Sequence, residues 1–468
     1  MRQKMLRSLI LQFLIVAAVL WAYHWISPFL IKHYNIRIQI NPKVAPLFGS
    51  PDLNFNRWII LPIIAFGVYL FLLRSVLKAE QSIPTPVLLA LFMGMKVMID
   101  VSVTMINGCF LPPVSNHGVA QYFADVPEFN SVGDIFRCYV SKMKELTTHS
   151  GTHPPGPVFV LWLVTHLFGY DRMVKAFLII LTAPLVLIPI YLLAERFYGR
   201  RIALYTLAIY LVTPNLVLLT ATCMDAFFAV FLVLSVYLFI ESAERGSVVL
   251  AVLTGLSLAF SMFLTFATTF LGVYFIVLTA LAYFWEREKF RGYITALLIS
   301  GGMFCALYLL TYRLTDYNIL ACLNMAIEIN EKGSLHHSGC GTGYETLSRY
   351  LFISWTNLFA FFSGIGVPTT ALWLREVADT VRRASSRRKF SIFLMGYVVT
   401  LIPIAFSTLY TVETERIWMF MAPFVLIPAA VNLEGYIEGT GRRWMLYLVI
   451  LILYVQTLAL EVLINTLW

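Results

Sequence analysis

The chain has 468 residues, of which 59% are hydrophobic and only 13% are charged, whereas about 25% of residues are charged in an average soluble protein. This composition excludes a soluble globular protein and predicts an all-α polytopic membrane protein. The formal net charge of +9 does not indicate nucleic acid, because the basic residues stand in short clusters between apolar runs.

Apolar runs of about 20 residues recur along the whole chain and predict about thirteen membrane-spanning helices. We interpret the first run as a retained helix rather than a cleaved signal. The predicted spans are 8–26, 58–77, 84–107, 172–194, 202–221, 225–242, 248–264, 267–285, 291–312, 348–373, 391–410, 416–435 and 444–466. Since no separate soluble segment remains, residues 1–468 are expected to form one membrane-embedded domain.

The apolar run 158–168 is about eleven residues long, too short to cross about 30 Å of hydrocarbon as a helix. Three prolines at 154, 155 and 157 suit the start of a helix but not its interior. If residues 154–169 lie along the outer membrane surface, the basic clusters, including the dense run 375–389, fall on the cytoplasmic side. The long loops at 27–57, 108–171 and 313–347 then share the extracytoplasmic face.

Two pairs of cysteines occur in these outer loops, Cys109 with Cys138 and Cys322 with Cys340. Such pairs indicate an oxidising face, and the spacing does not resemble a zinc site. The pairing that we expect is Cys322 with Cys340.

Asp125 is the first candidate for chemistry. It follows Tyr122 and Phe123 in a loop that folds back over the membrane surface, so its carboxylate is expected to be partly desolvated. A carboxylate in that setting can act as a general base. The alternative is an ordinary solvated loop acid.

His149 and His153 close the same loop and are four residues apart. This spacing matches a metal pair on a helix, but Gly151 and Pro154 oppose a continuous helix through them. Both histidines are therefore expected to orient the loop or bind substrate. No cofactor follows with certainty, and a divalent metal stays open.

Three charged residues are expected near the outer ends of later spans: Asp225, Glu413 and Arg416. Asp225 suits either the stabilisation of a helix amino terminus or a substrate role. Arg416 suits either a lipid phosphate or an ion pair with a neighbouring glutamate. Arg349 begins another span and is either a phosphate ligand or a cation whose charged end reaches the interface.

Several of these residues stand in motifs in a fixed order: Asp125, then His153-Pro154-Pro155, then the basic turn 196–201 (Arg-Phe-Tyr-Gly-Arg-Arg), then Asp225. This order resembles the GT-C superfamily of integral-membrane glycosyltransferases, in particular the protein O-mannosyltransferase and aminoarabinose-transferase type. The segment 413–418 resembles bacterial relatives. The resemblance covers about 84–435, preceded by two additional helices within 1–83.

The resemblance implies a GT-C fold, a polyprenyl-phosphate-linked sugar as donor, and transfer to an acceptor hydroxyl at the outer face of a prokaryotic cytoplasmic membrane. It assigns 108–171 as the catalytic loop, 313–347 as a second outer loop, and Asp125 as the base. Many members carry two adjacent acids where this chain has Asp125 followed by Val126. The partners implied are the lipid bilayer and an acceptor glycan, lipid or protein, with no nucleic acid.

A transporter or flippase of lipid-linked sugars is the main alternative, and a structural subunit without catalysis is the third. Lys96 and Asp100 lie four residues apart within one apolar span, where the spacing favours an internal ion pair over a proton relay. Because the polar residues otherwise gather at one face, the sequence favours the glycosyltransferase over alternating access.

Overall fold

The computed structural model describes residues 2–36, 40–107, 122–220, 223–338, 346–385, 391–407, 410 and 412–466. In chain order the α-helices are Arg2–His33, Ile60–Lys78, Thr85–Thr104, Val132–Lys142, Thr148–Gly151, Gly156–Phe168, Arg172–Thr182, Leu187–Tyr198, Arg200–Tyr210, Pro214–Leu218, Met224–Arg245, Val248–Leu264, Thr268–Trp285, Arg287–Thr315, Ile319–Ser338, Leu347–Gly364, Val367–Ser385, Ile392–Ala405, Thr414–Ile417, Ala422–Thr440 and Trp444–Leu463. The 3₁₀ helices are Arg57–Ile59, Met105–Asn107, Tyr122–Glu128, Ala183–Val186 and Trp418–Met421. Two short strands, Ser50–Pro51 and Ile464–Asn465, pair antiparallel.

The predicted all-α multi-pass membrane architecture is confirmed. Within the described residues, nine helices are long and apolar enough to cross a membrane, or ten if one bent pair counts as a single span. Each of the nine coincides with a predicted span. The count of thirteen stays unconfirmed, because the other four predicted spans form shorter or bent helices.

The predicted span 202–221 is divided into the helices Arg200–Tyr210 and Pro214–Leu218. Pro214 occupies the first turn of the second helix, where its missing N–H costs no hydrogen bond, whereas in a helix interior it would break one. Two further predicted spans form helices of 17 and 14 residues, Val248–Leu264 and Ile392–Ala405.

The predicted span 348–373 bends by 112° between the helices Leu347–Gly364 and Val367–Ser385. Gly366 lies at the bend with a φ of +88°, a backbone conformation that a residue with a Cβ rarely adopts. A Cβ at this position would also stand 2.3 Å from Leu453 Cδ2. The bend is therefore a glycine-dependent turn packed against the last long helix.

The two additional amino-terminal helices pack into the bundle. Tyr23, in the first helix, stacks on Phe359 with ring centroids 3.9 Å apart and hydrogen-bonds Thr356 over 2.5 Å. Tyr69, in the second, donates to the carbonyl of Ala208 over 2.7 Å. Both helices thus join one continuous apolar core.

The turns that carry the predicted cytoplasmic basic clusters meet one another at one end of the bundle, which we call the basic end. Arg196 pairs with Glu241 over 3.0 Å, and Arg201 pairs with both Glu80 and Glu434 over 3.2 Å. These contacts join residues that are far apart in sequence, so the basic turn 196–201 lies at the same end of the bundle as Glu80, Glu241 and Glu434.

The opposite end, which we call the loop end, gathers the segments that were predicted to be extracytoplasmic. Asn107 donates to Glu461 over 2.7 Å, and Asn215 donates to the carbonyl of Glu415 over 2.9 Å. Phe48, from the first long loop, donates its N–H to Glu415 over 2.6 Å. Three distant parts of the chain therefore meet where the candidate site residues lie.

The short apolar helix Gly156–Phe168 forms as predicted and is 13 residues long. It begins with close backbone contact, because a Cβ on Gly156 would stand 2.2 Å from the carbonyl oxygen of Phe263. Trp162, on this helix, donates to the carbonyl of Phe129 over 2.8 Å. The helix is thereby held against the loop that contains Asp125.

Candidate active site

Asp125 lies in the short 3₁₀ helix Tyr122–Glu128 and is only 5% exposed. Its two carboxylate oxygens accept from the Thr147 N–H over 3.1 and 3.2 Å, and Oδ2 also accepts from Thr147 Oγ1 over 2.5 Å. Asp125 is therefore a buried, oriented carboxylate rather than a solvated loop acid. The contact joins two parts of the first long outer loop that are 22 residues apart.

His149 and His153 lie on either side of the end of the four-residue helix Thr148–Gly151. The Nδ1 of His153 stands 3.0 Å from the carbonyl oxygen of His149, and the ring centroids are 6.3 Å apart. Burial, reinforced by the nearby charge of Arg416, lowers the pKa of His153 to about 4, although Asp225 opposes this change. At neutral pH His153 is uncharged and serves as a hydrogen-bonding group.

Arg416 is 8% exposed and contacts two carboxylates. Its guanidinium hydrogen-bonds Asp225 and pairs with Glu413 Oε2 over 2.6 Å. Cys223 adds a contact to Arg416 of 3.5 Å and donates its thiol proton to Asp225 over 2.7 Å. The predicted alternative of an ion pair between Arg416 and a neighbouring glutamate is thus present, and Asp225 completes it. With the carboxylates of Asp225 and Glu413 and the guanidinium of Arg416, the cluster has a formal charge of −1.

Glu413 lies just before the helix Thr414–Ile417 with a φ of +64°. This left-handed conformation is uncommon for a residue other than glycine, asparagine or aspartate, and costs about 1–3 kcal/mol. Such conformations persist where surrounding contacts hold them, and here the Arg416 pair does so. Backbone strain therefore coincides with the charged cluster.

Tyr122 connects the two histidines with the charged cluster. Its ring centroid is 5.9 Å from that of His149 and 5.6 Å from that of His153. It also interacts electrostatically with Asp225 and Arg416, and burial raises its pKa well above the usual value, so the phenol is neutral. Since a 3₁₀ helix has three residues per turn and rises about 2 Å per residue, Asp125 lies one turn, or about 6 Å, from Tyr122 on the same face.

The structure therefore brings six of the seven predicted site residues to one place, namely Asp125, His149, His153, Asp225, Glu413 and Arg416. Arg349, the seventh, lies in the first turn of the helix Leu347–Gly364. It is eight residues before Asn357, whose carbonyl accepts from Thr414 over 2.6 Å. At 1.5 Å per residue this separates the Arg349 backbone from that contact by about 12 Å.

Beside the charged cluster lies a cavity with an empty volume of about 430 Å³. Its charged lining consists of Glu413, Glu415 and Arg416. Glu415 Oε1 accepts from the Phe48 N–H, whereas the buried Oε2 has no hydrogen-bond partner among the described residues. The remaining lining residues are Leu47, Phe48, Asn215, Leu218, Leu219, Gly364, Leu460, Ile464 and Thr466.

Sequence reasoning missed the partners that hold this site. Thr147, Cys223 and Phe48 were not predicted to contact site residues. The aromatic pair before Asp125 gave a signal for Tyr122, but no pattern links Phe48 to Glu415 across the chain. Lys96 and Asp100 form the predicted internal pair, with Lys96 Nζ 2.5 Å from Asp100 Oδ2 and 2.6 Å from the carbonyl of Leu216.

In the described ranges, no group of three or more histidine, cysteine, aspartate or glutamate side chains is arranged to hold a metal ion. Cys109 and Cys340 lie outside those ranges. Cys322 is described, and it is a buried free thiol that lies 3.7 Å from the sulfur of Met143, so the expected pairing of Cys322 with Cys340 is not formed.

One family model matches this chain over residues 152–312, and that family is described as dolichyl-phosphate-mannose-protein mannosyltransferase. The matched segment begins next to His153 and contains Asp225. No curated protein sequence matches the chain.

Solved structures similar to this chain include two of the oligosaccharyltransferase from Archaeoglobus fulgidus. The complex with Zn and sulfate is 14% identical, with 76% of this chain and 49% of that chain covered and a TM-score of 0.49. The archaeal oligosaccharyltransferase AglB in complex with an inhibitory peptide and a dolichol-phosphate is 12% identical, with 76% and 56% covered and a TM-score of 0.45. The chain spans about half the length of these proteins. Over residues 152–312, the family match confirms the resemblance to GT-C membrane glycosyltransferases that the sequence motifs indicated.

Proposed function

We propose that this protein is a membrane glycosyltransferase that moves a sugar from a polyprenyl-phosphate-linked donor to an acceptor hydroxyl on the extracytoplasmic side. The description of the matched family, which names a dolichyl-phosphate-linked mannose, supports this donor class. Since the basic turns meet at the other end of the bundle, the positive-inside rule supports an outward-facing site.

The proposal depends chiefly on one observation: a buried, oriented acid stands one helical turn from a cluster of polar groups. Asp125 is held by Thr147, while Tyr122, on the same face of the 3₁₀ helix, contacts His153 and interacts with Asp225 and Arg416. Glycosyl transfer needs an acid of this kind beside groups that bind the sugar and the leaving phosphate.

In the proposed step, the acceptor oxygen attacks the anomeric carbon of the donor sugar from the face opposite the phosphate. The new carbon–oxygen bond forms as the bond to the phosphate oxygen breaks, and the polyprenyl phosphate leaves with that electron pair. Asp125 takes the proton of the acceptor hydroxyl. Because attack and departure occur on opposite faces, the anomeric configuration is inverted.

The donor phosphate requires a cation at the depth of the lipid headgroups, and we assign Arg416 to it, because the Arg349 backbone lies about 12 Å from the contact between Asn357 and Thr414. A guanidinium can hold two phosphate oxygens at once. Arg416 would exchange its Glu413 contact for the phosphate and keep Asp225. His149 and the neutral His153 are assigned to hydrogen bonds with the sugar.

The transporter alternative depends on polar groups near the middle of the bundle. Lys96 and Asp100 are each 1% exposed and bind each other and the carbonyl of Leu216. Because these two groups are buried and bind each other, they are not accessible to a transported substrate. This observation favours the transferase.

The direct test is mass-spectrometric detection of sugar transfer in membranes that contain the wild type or a variant, with a panel of polyprenyl-phosphate sugars. Asp125→Asn is expected to lower transfer by about 100- to 10,000-fold, the usual contribution of a general base. Glu128→Gln is the matched control, because Glu128 lies in the same short helix with a 60% exposed side chain. Full transfer by a folded Asp125→Asn variant would refute the assignment.

A further inference from the structure

A second cavity, with an empty volume of about 590 Å³, lies at the basic end. We call it the basic cavity. Its lining comes from the helices Ile60–Lys78, Arg200–Tyr210 and Trp444–Leu463 and from residues next to their ends, and its cations are Arg74, Lys78, Arg201 and Arg443. The cavity lies at the opposite end of the bundle from the candidate active site, so it needs a separate explanation.

The charges around the basic cavity are not balanced. Arg201 is paired with Glu80 and with Glu434, each over 3.2 Å. By contrast, Arg74, Lys78 and Arg443 form no ion pair with any residue in the described ranges. Three cations without acidic partners therefore line one cavity.

These cations converge rather than point separately into solvent. Arg74 and Arg443 both act electrostatically on the hydroxyl of Tyr447, and Arg201 and Arg443 both act on that of Tyr205. Arg443 also directly precedes the helix Trp444–Leu463. The helix macrodipole adds partial positive charge at this amino terminus, which favours an anion as the guanidinium groups do.

The walls and surroundings of the basic cavity suit a lipid. Leu77 and Leu446 supply apolar lining, and the two helices that carry them pack together through the stacked rings of Phe66 and Tyr454, 4.1 Å apart. Lipid-facing side chains continue beside the cavity, since Phe71 is 70% and Trp444 45% exposed. A tryptophan at the end of a span is typical of the headgroup level.

We infer that the basic cavity binds the phosphate of an anionic phospholipid from the cytoplasmic leaflet. Arg74 and Arg443 hold the phosphate oxygens through their guanidinium groups, Lys78 adds a point charge, and the acyl chains lie along Phe71 and Leu77. Basic pockets between spanning helices at the cytoplasmic side are a recognised type of site for acidic headgroups. This inference is independent of the glycosyltransferase proposal.

Binding can be measured by native mass spectrometry of the full chain in detergent, titrated with phosphatidylglycerol, phosphatidylcholine or inorganic phosphate. The wild type is expected to retain phosphatidylglycerol in preference to phosphatidylcholine. The double variant Arg74→Gln/Arg443→Gln is expected to bind it about 10- to 30-fold more weakly. Arg74→Lys/Arg443→Lys keeps the charge and should recover most of the binding, which separates a lost ligand contact from a lost fold.

Arg287→Gln/Arg291→Gln is the matched control, because it removes the same charge from the start of the helix Arg287–Thr315, where Lys289 pairs with Glu244 over 3.2 Å and which does not line the basic cavity. It should leave phosphatidylglycerol binding within about twofold of the wild type. Equal binding by the Arg74→Gln/Arg443→Gln variant and the wild type would overturn the inference. An equal loss in both glutamine pairs would also overturn it, since general electrostatic attraction would then explain the binding.

The inorganic phosphate titration distinguishes the source of the ligand. Displacement of phosphatidylglycerol only at high phosphate concentration supports the lipid. Phosphate binding that requires Arg74 and Arg443, with no binding of phosphatidylglycerol, would keep the phosphate chemistry but refute the lipid as its source.

Discussion

Arginine side chains lie at both ends of the helix bundle, but in opposite surroundings. Arg416 at the loop end is buried and contacts two carboxylates, whereas Arg74 and Arg443 at the basic end are exposed and form no ion pair with a described residue. A buried charge costs several kcal/mol unless it is fully paired, while an exposed one is solvated. At the loop end, ion pairs therefore hold the arginine in place and a phosphate would have to displace Glu413, whereas at the basic end no described acid competes with an anion for Arg74 and Arg443.

The largest expected effect comes from Arg416→Met. This change leaves the carboxylates of Asp225 and Glu413 without their shared cation, and we expect it to lower the free energy of unfolding by about 3–5 kcal/mol. Thermal unfolding of the purified protein in detergent measures the loss.

Arg443→Met is the matched change at the basic end and should cost no more than about 0.5 kcal/mol. Adding Asp225→Asn to Arg416→Met should recover part of the stability, because one of the two unpaired charges is then removed. Equal stability of the Arg416→Met and Arg443→Met variants would contradict the comparison.

A second effect concerns pH. Burial lowers the pKa of His153 from 6.5 to about 4, so between these values the unfolded chain binds a proton that the folded chain does not. Stability therefore falls as the pH falls from about 6.5 to about 4, by about 3 kcal/mol from this group. His153→Gln should flatten the dependence of the unfolding temperature on pH across this window. An unchanged dependence would show that His153 titrates normally.

Two further variants, one at each end of the bundle, are expected to have smaller effects on the free energy of unfolding. Asn215→Ala removes the donor to the carbonyl of Glu415 at the loop end and should cost about 1–3 kcal/mol, because a buried acceptor loses its partner. Arg201→Gln removes the ion pairs with Glu80 and Glu434 at the basic end, where the arginine side chain is 45% exposed. It should cost about 0–1 kcal/mol. Chemical or thermal unfolding measures the loss of stability in each variant. A larger loss in Arg201→Gln than in Asn215→Ala would contradict the expected difference between the two ends.

Much of the helix bundle was predictable, because an apolar run of about 20 residues is long enough to cross the membrane as a helix. Nine predicted spans have counterparts among the described residues, and the internal pair of Lys96 and Asp100 followed from their spacing. Hydropathy does not indicate the residue at which a helix ends or bends. Pro214 and Gly366 divide or bend two predicted spans through local backbone chemistry, although both segments are largely apolar.

The candidate site was predictable in its members but not in its contacts. Asp125, His153, Asp225 and Arg416 stood out as polar residues at the ends of apolar segments. Their partners are set by packing between distant parts of the chain, and no local pattern records that packing. Phe48, which binds Glu415 across 367 positions, shows this limit most clearly.

The role of Asp125 as a base is the central claim, and the contact with Thr147 offers a second explanation for the need for this acid. Thr147→Val removes the hydroxyl that donates to Asp125 but leaves the backbone N–H and the carboxylate in place. We would therefore compare the rate of sugar transfer by the Asp125→Asn and Thr147→Val variants, with unfolding temperatures measured alongside. Our account predicts that Thr147→Val keeps transfer within about tenfold of the wild type while Asp125→Asn loses about 100-fold or more. Equal losses in the two variants, in step with equal losses of stability, would show that Asp125 only holds the loop.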